Sequence, residues 1–251
     1  MKITRLACLV LAMFATSVHA QDSDSWDWKI TPYLWMVGIE GDMSIGPIDQ
    51  EIDVSFSDIV SDLDIGGSIY AELGKGKHAF HFDYTYLRLK PDPTALPNPP
   101  FPDGATLSTK MTNNIFEPAY NYRFDGAGGG TSLVLGARYM DIEMRMTSSA
   151  SGPVGPVEAG PSWWDYFVGV KTHNQISSNW DFDFYGTIGT GGSDLPWTLQ
   201  AGFARRYSND NRLILGFRLW NIDYSKAEGL LDQYVGIDTR FYGFLVGYEF
   251  N

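Results

Sequence analysis

From Trp28 to the C-terminus the chain alternates large apolar side chains with small or polar ones, the period-2 signature of extended strands exposed to two different media. The last stretch, FYGFLVGYEFN, places Tyr242, Phe244, Val246, Tyr248 and Phe250 on one face, and Gly243, Leu245, Gly247 and Glu249 on the other. Phe80, Phe82, Tyr84 and Tyr86 oppose Ala79, His81, Asp83 and Thr85, and Trp180, Phe182 and Phe184 oppose Asp181, Asp183 and Tyr185. The pattern predicts ten strands, near 28–40, 65–74, 78–90, 106–123, 131–147, 163–173, 180–189, 195–206, 212–224 and 239–250. No later segment has the roughly 18 consecutive apolar residues of a membrane helix, but membrane strands need only ~9–11 residues of alternating polarity.

The connections alternate too. KGK, DGAGGG, the NQISSN region and SNDN are short, whereas residues 40–64, PDPTALPNPPFPDGA, SSASGPVGPVEAGPS and SKAEGLLDQYVGID are long, with TGGSD the exception. A soluble sandwich gives no reason to collect short turns at one end and long loops at the other; an outer-membrane barrel does. The expected fold class is therefore all-β, a single antiparallel up-and-down transmembrane β-barrel of about ten strands. In hydrocarbon every backbone polar group needs an internal partner, and closure supplies one without leaving an edge. Trp26, Trp28, Trp163, Trp164, Trp180, Trp197 and Trp220 lie near predicted strand ends, as an interfacial aromatic girdle requires.

Residues 1–20 read as a signal peptide: Lys2 and Arg5, an apolar run from Leu6 to Ala15, and Val18-His19-Ala20 before Gln21. Residues 21–251 then form one barrel domain. The single cysteine, Cys8, lies inside the leader and precedes most of its apolar run, which argues against lipid attachment and leaves no thiol chemistry. The sequence carries 18 basic and 30 acidic side chains, and removing Lys2 and Arg5 makes the excess of acid larger, so nucleic acid is not an expected partner.

With the signal peptide, the opening WDWKITPYLW, the hairpin rhythm and the aromatic last strand, the chain resembles the small outer-membrane β-barrel proteins of Gram-negative bacteria, of the OmpA/OmpW-like class. Within them it is similar to a group in which a Trp- and Tyr-rich first strand precedes an acidic segment such as DVSFSDIVSDLDIG. The resemblance implies export through the periplasm, insertion by the barrel-assembly machinery, outer-membrane lipids as surroundings, a monomer and no cofactor. Such barrels usually end in Phe; here Phe250 is penultimate and Asn251 follows.

If the aromatic faces point outward, the lumen receives Lys29, Glu72, His81, Asp83, Glu117, Arg138, Asp165, Lys171, Asp181, Asp183, Arg218 and Glu249, and a low-dielectric interior favours pairing these charges. A turn at Lys75-Gly76 would set Tyr70 opposite His81 and Ser68 opposite Asp83. Ser68, His81 and Asp83 raise a lipid-directed hydrolase reading, but two of them sit on one strand, and a hydrogen-bond network is the plainer expectation. Asp181 and Asp183 are expected to pair with Lys171 and His173. No metal site is expected, since His78 and His81 project to opposite faces. Residues 40–64 hold eight acidic and no basic side chains, among them Asp49, Glu51, Asp53, Asp58, Asp62 and Asp64, and read as an external acidic loop without the converging ligands a calcium site needs. Inside it, Phe56, Ile59, Val60 and Leu63 recur at helical spacing behind Ser55 or Ser57 as cap, a short helix either in the barrel mouth or at its rim.

Ten strands ~4.8 Å apart and tilted ~40° close to a backbone radius of ~10 Å. Tyr33, Trp35, Tyr70, Tyr185 and Arg218 would fill much of that section, so a narrow or occluded lumen is expected. Three functions remain open: a structural or narrow porin-like barrel passing small solutes or ions, a lipid-directed barrel enzyme, and a receptor or adhesin acting through its loops.

Overall fold

The computed structural model describes residues 25–45, 48–95, 103–125, 130–149, 157–228 and 233–251; the predicted leader, 1–20, lies outside them. In chain order the elements are β1 (Trp26–Ile45), β2 (Ile48–Val54), α1 (Phe56–Asp62), β3 (Leu63–Lys75), β4 (His78–Leu89), β5 (Thr94–Ala95) and β6 (Thr106–Arg123). They continue with β7 (Gly130–Ser148), β8 (Val157–Ala159), β9 (Ser162–Ser177), β10 (Trp180–Gly191), β11 (Trp197–Arg206), β12 (Arg212–Glu228) and β13 (Gln233–Glu249). Ten long strands run antiparallel around a closed ring, β1-β3-β4-β6-β7-β9-β10-β11-β12-β13, with β2, β5 and β8 as short additions. Pairing of Tyr33 with Gly247, and of the residues that follow, joins the first strand to the last and closes the ring. The fold is the expected all-β up-and-down barrel.

The short connections gather at one end with both ends of the described chain, and the long ones at the other; these are the turn end and the loop end. The β3–β4 turn occupies Gly76 and Lys77, not Lys75 and Gly76, because Lys75 pairs with His78. Gly76 sits at φ +59°, the positive value that two-residue hairpin turns assign to glycine. This moves the register by two: Tyr70 faces Asp83, Glu72 faces His81, and Ser68 faces Thr85. A two-residue shift preserves the face of every side chain, so all of them stay in the lumen.

Residues 40–64 are more ordered than a loop. β1 runs on to Ile45 and folds back as β2, whose IDQEIDV alternates like any strand. Asp49, Glu51 and Asp53 therefore lie on β2, Asp58 and Asp62 on α1, and Asp64 on β3. Ser55 caps α1, and Asp58 bonds back to the Ser55 N–H at 3.0 Å. Of the apolar stripe only Ile59 is buried; Phe56, Val60 and Leu63 are exposed. The helix packs on β1 at the rim.

Outward positions form an apolar belt around the ring, with Leu34, Phe80, Phe82, Leu215 and Val246 exposed and Phe244 64 % exposed. No described helix is long and apolar enough to cross a membrane, which leaves crossing by strands unaffected. Trp26, Trp28, Trp164 and Trp180 point outward as expected, but Trp163 and Trp220 do not. Trp163 shares the inward parity of Asp165, and Trp220 that of Arg218. Both are buried inside the loop-end half with Met140, Ile222, Tyr224 and Ile237, and Trp163 stacks on Tyr224 at 4.2 Å.

Candidate functional site

The lumen is polar toward the turn end and apolar toward the loop end. At the turn end, Arg212 at the start of β12 is the central cation. Its Nε and Nη2 donate to Glu249 at 2.7 and 3.0 Å, and its Nη1 reaches Asp183 at 3.2 Å and Asp181 at 3.3 Å. Arg206 donates to Asp181 at 2.8 Å, and His173 Nδ1 lies 2.6 Å from Asp183. Arg123, at the end of β6, grips both oxygens of Asp27 at 2.7 Å and donates to Glu72 at 2.7 Å. Lys171, expected beside Asp181 and Asp183, instead crosses the lumen from β9 to Tyr70 and Glu72 on β3.

Above this layer two linked groups form a partition. Tyr33 of β1 donates to Asp83 of β4 at 2.7 Å, and Arg218 of β12 donates to Tyr33 Oη at 3.2 Å, to Asp83 at 3.4 Å and to Gln200 at 2.7 Å. Glu117 accepts from Arg138 at 2.6 Å and from Tyr185 at 2.6 Å, with His81 Nε2 at 3.8 Å. The Tyr185–Glu117 and Arg218–Asp83 bonds tie walls three and four strands apart around a ten-strand ring, which braces the cross-section. Arg138 and Asp165 are directly paired on β7 and β9, yet Arg138 turns to Glu117. Asp165 accepts from Ser193 N at 2.7 Å, Ser193 Oγ at 2.9 Å and Trp163 Nε1 at 3.1 Å, drawing the TGGSD connection over the loop-end mouth.

All twelve predicted luminal residues thus face inward, but they do not make one cluster. Lys29, Glu72, Lys171, Asp181, Asp183 and Glu249 belong to the turn-end layer, His81, Asp83, Glu117, Arg138 and Arg218 to the partition, and Asp165 to the loop-end cap. Sequence reading missed Arg123, Asn121 and Arg212. Extending the parity of Glu117 to Asn121 and Arg123, and that of Arg218 back to Arg212, would have found them. Ser68 bonds to Thr85 at 2.8 Å and His81 to Asn121 at 3.2 Å, while Asp83 holds Tyr33, so the three residues of the hydrolase reading do not engage one another. Among the described residues no group of three or more His, Cys, Asp or Glu could hold a metal ion. In the acidic segment, Asp64 pairs with Lys90 at 2.9 Å, a bond that lowers its carboxyl pKa, and the Ser55 hydroxyl does the same for Asp58.

Among the described residues the packing leaves space on both sides of the partition. A turn-end vestibule of ≈ 440 Å³ and an inner cavity of ≈ 120 Å³ share Lys29, Lys171, His173, Arg212 and Glu249. The inner cavity ends at Tyr33, Asp83, Glu117, Tyr185 and Arg218. Beyond them lies a void of ≈ 20 Å³ lined by Trp35, Thr198 and Trp220, whose polar side-chain atoms are buried and have no hydrogen-bond partner among the described residues. A void of this size holds at most about one water.

No protein-family model matches the chain, and the comparison with curated proteins gave no match. Among solved structures, the outer membrane protease OmpT of Escherichia coli is similar with a TM-score of 0.53 at 7% identity, covering 94% of this chain and 98% of that one. The translocator domain of the autotransporter NalP from Neisseria meningitidis has a TM-score of 0.40 at 8% identity, covering 99% and 96%. At such identity the likeness to the protease is one of fold: the chain shares its closed β-barrel architecture.

Proposed function

We propose that this is an integral outer-membrane protein whose barrel is closed at rest, structural in role, with any passage of small solutes or ions narrow and dependent on parting the luminal network. The observation that carries this reading is the presence of two barriers in series. The Tyr33–Asp83–Arg218 and Arg138–Glu117–Tyr185 groups cross the section first, and the Trp163, Trp220 and Tyr224 cluster fills it next. An open porin needs a continuous polar lumen, which the buried cluster denies.

Membrane residence is supported by the outward apolar belt, by closure that leaves no backbone edge within it, and by the leader-like N-terminus. Lipid is then the partner of the belt, and the barrel-assembly machinery that of the unfolded chain. The likeness to a protease carries no catalytic assignment here, since the Ser68, His81 and Asp83 side chains bond elsewhere.

Single-channel recording in planar bilayers tests the closed lumen. The intact protein should give small or undetectable steps, and a large, stable conductance would overturn this reading. Fractionation tests the location: the protein should sediment with outer membranes and change gel mobility on boiling, whereas recovery as a soluble periplasmic species would refute it.

A further inference from the structure

TGGSD is the short member of the loop-end connections, and it does not turn directly from β10 into β11. Ser193 is buried; it forms a bridge with Tyr224 of β12, while Asp165 of β9 accepts from its N–H at 2.7 Å and its hydroxyl at 2.9 Å. The connection thus straps β9 to β12, three strands apart in the ring. Gly192 lies on the Trp163 ring, where a Cβ would meet Cδ1 at 2.5 Å, and Trp163 Nε1 donates to the Ser193 hydroxyl at 2.9 Å. Two features work against this closure. Asp194 donates its N–H to the Asp223 carbonyl at 2.6 Å, so its carboxylate adds to the like charge of Asp238 already acting on Asp223. Asp238 stands directly opposite Asp223 on one side and Asp42 on the other, and Arg240, two positions along β13, is engaged by Glu40 at 3.0 Å. Leu195 takes φ +48°, a left-handed value rare for a bulky residue, and its side chain is exposed, so little packing offsets the cost.

We infer that residues 192–195 form a lid over the loop-end seal, which lifts while the barrel stays folded, with Asp165 as its latch and the repulsion among Asp194, Asp223 and Asp238 as the force that opens it. Lifting breaks the bonds of Gly192, Ser193 and Asp194 to Trp164, Asp165, Trp163 and Asp223. The β10–β11 ladder begins below them, at Ile188 and Trp197, and is left whole. A segment held by so few bonds opens at a fraction of the cost of unfolding the ring. Once it is lifted, outside water reaches Asp165 and the stacked pair of Trp163 and Tyr224. The lid goes beyond the closed reading, because the partition stays shut beneath it.

The test is amide hydrogen exchange of the full chain refolded in micelles, read residue by residue by NMR. The amides of Gly192, Ser193 and Asp194 are all bonded in the closed lid, so their protection reports closure. They should exchange together, at least about tenfold faster than the paired amides of β9 and β10. Asp165→Asn should speed them by about tenfold or more, since hydrogen bonds to a charged acceptor are the stronger class. Asp223→Asn should slow them by about threefold, and salt raised to about 0.5 M should act in the same direction, with β9 and β10 unchanged. A purely structural turn would not tighten when a carboxylate is neutralised. Exchange of the three amides in step with β9 and β10, or no slowing in Asp223→Asn, would overturn the lid. If Asp165→Asn does not fold, as gel mobility before and after boiling reports, Asp223→Asn and the salt series still decide. A large conductance would defeat the closed lumen separately and leave this test standing.

Discussion

The two halves of the lumen are built on the same ten strands but filled by opposite means. The turn-end half holds its section with ion pairs, and its cavity and vestibule remain beside them. The loop-end half excludes space with rings: Trp35, Trp220 and Phe241 lie within 6.4 Å of one another centroid to centroid, and Trp163 stacks on Tyr224. Charged side chains must meet partners at fixed distances and so leave gaps, whereas apolar ones fill whatever volume is offered. The difference teaches where polar matter can enter: from the turn end, up to the partition. The two halves should also fail differently, one by stranding charge and the other by losing contact area.

The largest effect is expected at Arg212. Arg212→Ala leaves Glu249, Asp183 and the fully buried Asp181 with much of their compensation removed, and breaking a buried pair on one side costs about 3–5 kcal/mol. Urea unfolding in lipid vesicles, followed by tryptophan fluorescence, measures it. A loss within experimental error would show that water in the vestibule screens these charges, and the contrast between the halves would weaken.

The outer belt gives the next effect, because it encloses both halves alike. Phe244 lies in a row with Phe217 and Met36, away from the charged rows at Glu40 and Arg240 near the loop end. Phe244→Arg should cost about 2–4 kcal/mol in the same unfolding assay if that row meets the bilayer midplane. Gly247→Ser points inward, where a Cβ would meet Tyr33 Cβ at 2.9 Å, so its cost reports packing rather than lipid. Equal tolerance of Arg at outward and inward positions of β13 would contradict the orientation.

How far the sequence could be read follows from the same geometry. Strand period is a local property, so which face each residue takes was legible from Trp28 onward, even where the β3–β4 turn was placed one residue early. Which side chains meet across the lumen depends on tilt and stagger of the whole ring, a non-local quantity. That is why Lys171 finds Glu72, ninety-nine positions away, and not Asp181. Trp163 and Trp220 were misread for a different reason. Their position near strand ends suggested a girdle, but parity with Asp165 and Arg218 already placed them inside, and parity is the stronger constraint. Residues 48–54 were read as loop because acidic residues outweighed the alternation of Ile48, Gln50, Ile52 and Val54.

A smaller effect separates the two halves by hydrogen bonding. Trp220 is 3% exposed, and its indole N–H has no hydrogen-bond partner among the described residues, so removing that donor removes no bond to them. Trp220→Phe trades the lost ring area against release of an unpaired polar group, and should change stability by less than about 1.5 kcal/mol. Arg218→Met, by contrast, takes away bonds to Tyr33, Asp83 and Gln200 and should cost more. If Trp220→Phe proves the costlier change, the void it shares with Trp35 and Thr198 holds a well-bound acceptor, and the loop-end half is less purely apolar than its rings suggest.

The smallest effect concerns α1, the one helix among the described residues. A plug would need the apolar stripe of α1 turned into the lumen, but Phe56, Val60 and Leu63 are exposed and only Ile59 is covered. No residue of α1 borders the cavities or the void. Replacing residues 56–62 by a Gly-Ser linker should therefore leave single-channel behaviour unchanged, and a rise in conductance would restore the plug. The helix itself depends on its capping box, whose loss in Ser55→Ala costs about 0.5–2 kcal/mol of local helix stability. Asp58 has its pKa lowered from 3.8 by the Ser55 hydroxyl, so the box is fully formed above that value and is lost as pH falls below it and through the lowered one. Amide exchange in α1 should accelerate across that interval relative to its trend at higher pH, while the barrel strands keep their protection. Fraying of β1 in step with α1 would mean that the rim and the wall are one cooperative unit, and that the helix supports the loop-end seal from outside.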